Sequence, residues 1–314
     1  MRVAVVGAGG VGGLIGGLLA RAGTQVLFVA RGEHLAAMRT SGLRVDSPRA
    51  SFTISPVQAS DDPATIGAVD AVLVAVKGWQ VRDVAPRLQP LLGDGTFVVP
   101  LENGVEAASD LARVLGEERV AGGVCHMLSW VEGPGRIRHV GQILRVTIGE
   151  RRGGTSARLE ALATALRAAD VDVVLSDDVE AATWEKFLFI EPFGAVGAVT
   201  RAAIGVTRGL TETRQLLVAA MNEIAALAKA RGVRLAPEAV ARSLELLDKL
   251  PADGTASMQR DIVAGRPSEL FDQTGAVVRL GKDAALPVPI HACLYAALLP
   301  QEQAARRAAE RKQA

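Results

Sequence analysis

The feature that most narrows what this chain can fold into lies at its start. "RVAVV" (residues 2–6) is followed at once by "GAGGVGG", and an apolar run then continues to Arg21. The short β-branched run reads as a buried strand, and Gly7, Gly9 and Gly12 fall in the spacing G-x-G-x-x-G. Alone, that string marks only tight turns. Between a strand and an apolar helix it has a physical meaning. Gly7 makes the turn, Gly9 lets the backbone approach a pyrophosphate, and Gly12 lets helix and strand pack closely. The segment Gly7, Ala8, Gly9, Gly10, Val11, Gly12 is therefore the predicted phosphate loop of a dinucleotide site, with the helix N-terminus facing the phosphates.

A second strand, "QVLFVA" (25–30), follows Gly23. The residue just past it discriminates between nicotinamide cofactors. An acid binds the ribose 2′-hydroxyl, whereas an arginine accepts a 2′-phosphate. The chain reads "FVARGEH", with Arg31 in that place and Glu33 two residues on. The expectation is NADP (NADPH) rather than NAD, the ordinary alternative being a solvated loop arginine.

Further along, "AVDAVLVAVK" and "GTFVVPLENG" are β-branched runs, each followed by a helical pattern. Such alternation predicts a parallel sheet covered on both faces. "RVDSPRASFTISPV" has no helical period and reads as short strands or loops. After "VDVVLSDD" the strand signals fade, and helices are expected over 179–199, 208–231, 236–248, about 256–280 and 287–299. Residues 301–314 read as a polar helix end that frays. A boundary near Ser176 gives two domains, 1–176 and 177–314, as suits a chain of 314 residues. The fold class is α/β: an N-terminal Rossmann-type domain followed by an all-helical one.

Apolar residues at 49% and charged residues at 22% indicate a folded protein. A net charge of +1 gives no reason to expect a nucleic-acid partner. Residues 3–20 are nearly uncharged, but they are glycine-rich and break into strand and helix. They read as part of the fold, not as a leader or a membrane span, and the expected compartment is the cytoplasm. Cys125 and Cys293 are far apart with no His/Cys cluster nearby, which fits a reducing compartment and no metal site.

The chemistry-bearing candidates lie elsewhere. In "WEKFLFIEPFG" (184–194), Lys186 has no acid three or four residues away to pair with on a helix. It either snorkels to water or is held for chemistry. Lys77 closes "VLVAVK" and Asn103 follows "VVPLE", at the carboxyl ends of predicted parallel strands, where ligands bind in this architecture. Their ordinary readings are a surface lysine and a helix N-cap. "SMQRDIVAGRPSELFDQTGAVVRLG" sets Ser257 and Glu269 on either side of a turn. Solvated helical residues are the default there. On separate helices facing one cleft, Lys186 and Glu269 would instead form an acid–base pair.

With these residues in hand, the chain resembles the ketopantoate reductase (2-dehydropantoate 2-reductase) family over almost its whole length. The resemblance is carried in order by Gly7, Gly9 and Gly12, "VKGWQV" from Val76, "ENG" at Glu102–Gly104, and "PGRIRHVG" from Pro134. It continues with "WEK" at Trp184–Lys186 and "SMQRD…GRPSEL" from Ser257 to Leu270. It implies a C-terminal domain related to that of 6-phosphogluconate dehydrogenase and NADPH-dependent reduction of a 2-oxo acid to a 2-hydroxy acid. It also implies that Lys186 is the catalytic lysine, Glu269 an active-site glutamate and Ser257 a substrate contact. Asn103 would sit near nicotinamide and substrate, and Lys77 on the cofactor side.

The chain departs from the family at four places. Ile190, Gly194 and Gly254 stand where asparagines usually line the substrate site, and Glu106 replaces the second glycine of "NGxG". The polar substrate shell is thinner, which leaves a different 2-oxo acid or ketone, or the oxidative direction, as an alternative to ketopantoate. A non-catalytic NADP sensor is the alternative from another class. Against it stands the retention of Lys186, Glu269, Ser257 and Asn103 together, and two of only six lysines fall on family positions. A homodimer is the expected assembly.

Overall fold

The computed structural model describes residues 1–313. It divides into two compact units, one of Met1–Glu102 with Ala107–Ala182, the other of Asn103–Glu106 with Thr183–Ala314.

The first unit runs β1 (Arg2–Val6), α1 (Gly10–Arg21), β2 (Gln25–Val29), α2 (Gly32–Ser41), β3 (Leu43–Asp46), β4 (Phe52–Ile54), β5 (Gln58–Ser60), β6 (Val69–Val74), α3 (Val81–Val84), β7 (Leu92–Pro100), α4 (Ala107–Leu115), β8 (Ala121–Gly133), β9 (Arg136–Glu150), α5 (Ala157–Ala168) and β10 (Asp172–Leu175). Five strands form a parallel sheet in the order β5-β2-β1-β6-β7, as the alternating pattern predicts. A second sheet has the order β10-β9-β3-β4, with β8 antiparallel to β9. This long β8–β9 hairpin, turning at Pro134–Gly135, is not anticipated by the sequence reading. Its β8 half, "AGGVCHMLSWVEG", carries little strand propensity, and pairing with β9 supplies what propensity does not.

The glycines of α1 explain how the two sheets meet. A Cβ on Gly16 would strike the Phe28 ring of the parallel sheet, and one on Gly13 would stand 2.7 Å from Ile137 of the second. Helical glycine costs roughly 1 kcal/mol against alanine. Here it lets the backbone lie close to a sheet on each side, so the helix is apolar all round because it is buried all round. One core cluster accordingly contains Val5, Ile15 and Phe28 together with Val45, Ile137 and Val146.

α6 (Val179–Thr200) begins in the first unit and continues in the second. The second unit then runs α7 (Ile204–Gly209), α8 (Thr211–Ala230), α9 (Ala239–Lys249), α10 (Ser257–Val263), α11 (Thr274–Asp283) and α12 (Pro289–Gln313). Among the described residues no helix is long and apolar enough to cross a membrane. Two expectations need correction. The 256–280 segment breaks after α10, at the turn expected between Ser257 and Glu269, but Glu269 lies in the irregular stretch before α11 and not on a helix. Nor do residues 301–313 fray. They continue α12, with Glu302 only 3% exposed. The reason is tertiary. Glu302 Oε2 accepts from the Ser268 N–H at 3.0 Å and from its hydroxyl at 2.5 Å. Arg306 Nη2 donates to the Ser268 carbonyl at 3.0 Å. Ala314 lies outside the described residues.

Candidate active site

In the first unit the glycine loop between β1 and α1 makes a tight turn. Gly7 sits at φ +95°, and a Cβ there would overlap the Ala75 carbonyl. Its N–H donates to the Val29 carbonyl at 2.9 Å, which fixes the turn to the end of β2. Gly12 faces the Gly7 carbonyl with no room for a side chain, and Gly10 lies against the Ser129 carbonyl. At Gly9, by contrast, a Cβ would meet nothing within 4 Å. Gly9 is also the N-cap of α1 and has no side-chain cap, so the first N–H groups of the helix remain for an anion. A pyrophosphate fits this cradle, with Ala8 and Val11 completing the loop. Arg31 is exposed, as the N-cap of α2 just beyond β2. Lys77 follows β6, with Nζ 5.8 Å from the centre of the Trp79 ring. Glu102, which sequence reasoning gave no role, is a buried acceptor: its two oxygens take the N–H groups of Val76 and Leu101 at 3.2 and 3.1 Å. It thereby satisfies backbone at the carboxyl ends of β6 and β7.

In the second unit three of the predicted residues come together. Lys186 on α6 donates from Nζ to Asn103 Oδ1 at 2.8 Å. Asn103 Nδ2 donates to Glu269 Oε2 at 3.3 Å. An amide has one acceptor end and one donor end, so Asn103 joins a cation to a carboxylate without reversing either role. Gln273, absent from the sequence reading, donates from Nε2 to the same Glu269 oxygen at 3.2 Å and is 1% exposed. Its position four residues after a candidate glutamate was the only signal available. Glu269 itself is 4% exposed. The neighbouring Ser268, held by Glu302 and Arg306, anchors the backbone from which it projects.

Asp272 adds a second carboxyl to this corner. Burial, and then the Glu269 carboxylate beside it, push it up to about 6, against the pull of Arg279 and Arg306. Its Oδ2 is buried without a hydrogen-bond partner among the described residues. Ser257 is the first residue of α10 and half-buried, and no side-chain hydrogen bond joins it to Lys186, Asn103 or Glu269 among the described residues. One of the positions that depart from the family, Gly194, is accounted for by its packing. Gly194 is buried, and a Cβ on it would stand 3.1 Å from Met258 Cε, so a methionine occupies the space an asparagine would need. Glu191 does not supply a replacement polar group, because it is fully buried against His291, with Oε2 2.8 Å from Nε2. Among the described residues no group of three or more His, Cys, Asp or Glu side chains could hold a metal.

A parallel sheet with a glycine cradle at the end of its first strand, followed by a helical unit, is the plan of a dinucleotide-binding oxidoreductase. Comparison with known proteins makes this specific. The family model "Ketopantoate reductase PanE/ApbA" matches residues 3–153, and its C-terminal counterpart matches 178–302. The chain belongs to the ketopantoate reductase family. A 2-dehydropantoate 2-reductase of Mesorhizobium japonicum is 32% identical, over 92% of this chain and 94% of its own. The crystal structure of a PanE/ApbA family ketopantoate reductase from Ralstonia eutropha has a TM-score of 0.89 at 31% identity. It covers 98% of this chain and 100% of that one. D-mandelate dehydrogenase in complex with NADH and anilino(oxo)acetate shares the fold, with a TM-score of 0.89 at 21% identity, over 98% of this chain and 99% of that one.

Proposed function

We propose that the protein reduces a 2-oxo acid to the 2-hydroxy acid with NADPH, and that 2-dehydropantoate (ketopantoate) is the leading substrate. The observation that carries this reading is the hydrogen-bonded chain Lys186–Asn103–Glu269. A bound nicotinamide supplies the hydride. As it adds, the ketone oxygen gains negative charge, and Lys186 Nζ stabilises that charge and delivers the proton. Asn103 holds the ammonium in place, so little reorganisation is left for the moment of reaction. Glu269, buried and oriented by two amides, receives a substrate hydroxyl or re-orients the lysine. Ser257, at the start of α10, is the proposed substrate contact. Arg31 takes the 2′-phosphate of the cofactor, Lys77 lies on the cofactor side, and the loop from Gly7 to Gly12 takes the pyrophosphate. Support for the named substrate comes from the relatives called 2-dehydropantoate 2-reductase.

The test is NADPH oxidation followed by absorbance with a panel of 2-oxo acids, in wild type and Lys186→Ala. The variant is expected to bind NADPH nearly as wild type and to lose kcat by ~10²–10⁴, the usual range for a general acid. Near-normal turnover in the variant removes Lys186 from the mechanism. A wild type that turns over none of the panel removes the reading altogether.

A further inference from the structure

Glu106 stands where the family's loop has a second glycine, and the structure gives the substitution a partner. Its Oε2 accepts from Arg279 Nη2 at 2.6 Å, the two side chains being 23% and 29% exposed. Arg279 is itself held from two other directions. Its Nη1 donates to the Phe271 carbonyl at 2.8 Å, and its Cζ lies 3.8 Å from the centre of the Phe271 ring. Two residues before Glu106, Gly104 has φ +106°, and a Cβ on it would stand 3.0 Å from the Asp272 carbonyl oxygen. Asn103 reaches Glu269. The loop 103–106 therefore meets the segment 269–279 at three successive points, and these differ in strength. The contact at Gly104 is close approach without attraction. The bond from Asn103 is a single one at 3.3 Å. Only the contact at Glu106 joins two opposite charges, and it does so at a partly buried site where screening by salt is reduced.

We propose that the Glu106–Arg279 pair is a positioning device for this site. It sets how the Asn103 loop seats against the segment carrying Glu269, and so keeps Asn103 between Lys186 and Glu269. The glycine of the family sequence leaves that loop without a side-chain tether; this chain ties it to the middle of α11 through a stacked arginine. The inference rests on the proposed role of the Lys186–Asn103–Glu269 chain, although Glu106 and Arg279 themselves touch neither Lys186 nor Glu269 in the contacts described above.

The test uses Glu106→Gln, Arg279→Met, their double variant and the conservative Glu106→Asp. Each single variant is expected to lower kcat by ~10-fold to ~10²-fold, the scale of a misplacement on the order of 1 Å, with KM for NADPH unchanged. The double variant should lose no more than the worse single, because both remove the same contact. Glu106→Asp should recover most of the loss. A second readout does not need turnover. The six lysines are reductively ¹³C-methylated, and the Lys186 resonance is assigned with Lys186→Arg. That resonance should move in both single variants and return toward wild type in Glu106→Asp. If wild type turns over and both single variants keep its kcat, the device does not exist, even if their Tm falls. If wild type reduces no oxo acid, the proposed function fails by itself. The resonance then decides this inference, and an unmoved Lys186 signal in both variants overturns it.

Discussion

Raising the pH should weaken this fold through one buried histidine. His291, in the first turn of α12, is fully buried between two carboxylates: Nε2 lies 2.8 Å from Glu191 and Nδ1 2.6 Å from Glu223. Glu223 also accepts the Ile290 and His291 N–H groups at 2.8 and 3.0 Å, so it caps the helix that carries its partner. Burial alone would pull the imidazole down. The Glu191 and Glu223 carboxylates outweigh it and push His291 up from 6.5 to about 9. A raised value means that the folded protein keeps this proton after the unfolded chain has released it. The stabilisation is therefore complete below pH 6.5 and is lost as the pH rises to about 9. At ~1.4 kcal/mol per pH unit, the interval between 6.5 and about 9 amounts to ~3 kcal/mol. His291→Gln keeps a donor but cannot be charged. It should cost about that much at pH 6, and the difference from wild type should shrink steadily toward pH 9. Urea unfolding of both proteins at half-unit steps from pH 6 to 9.5 measures this. A difference that stays constant with pH, or grows, would show that the proton is not held by these carboxylates.

Arg31→Asp should reverse the NADPH/NADH ratio of kcat/KM, because an acid repels the 2′-phosphate and accepts from a 2′-hydroxyl; an unchanged ratio counts against Arg31 as the discriminating residue. Gly12→Ala puts a Cβ into the Gly7 carbonyl, and should destabilise by ~1–3 kcal/mol and abolish cofactor binding, read by thermal unfolding with and without NADPH. With Ile190 and Gly194 at positions where the family has asparagines, kcat/KM for ketopantoate should exceed that for an analogue lacking the hydroxyl by less than roughly 10²-fold. A ratio of ~10⁴ would mean that the hydroxyl is read by another group. Ile190→Asn is expected to widen the ratio, whereas Gly194→Asn does so only together with Met258→Ala, since Met258 Cε lies 3.1 Å from the position of a Cβ.

The nucleotide half of the chain was legible because its signals are local. A strand, a glycine turn and a helix N-terminus lie within about twenty residues of sequence, and Gly7 and Gly12 answer backbone requirements that their neighbours impose, as the φ of +95° at Gly7 shows. The β-branched runs of β1, β2, β6 and β7 state their burial directly, and the apolar helix from Gly10 to Arg21 follows from the same composition. Lys186 was conspicuous for a local reason too, since no acid on its own helix could pair with it.

What lay beyond the sequence are the contacts between segments far apart. Asn103 and Lys186 are separated by 83 residues and Asn103 and Glu269 by 166, so no periodicity or spacing brings them together; only the packing of the helical unit does. The same holds for Gln273, a residue of ordinary appearance until its amide meets Glu269, and for Glu106, which as sequence is a departure from a motif and as structure is half of an ion pair. The end of the chain gives the sharpest case. Residues from Gln301 onward have the composition of a fraying helix, because composition reports what a segment would do in water. Tertiary structure decided otherwise. The unpaired N–H and hydroxyl of Ser268 need an acceptor, the Glu302 carboxylate supplies it, and burying that carboxylate requires Arg306 beside it, at 2.6 Å.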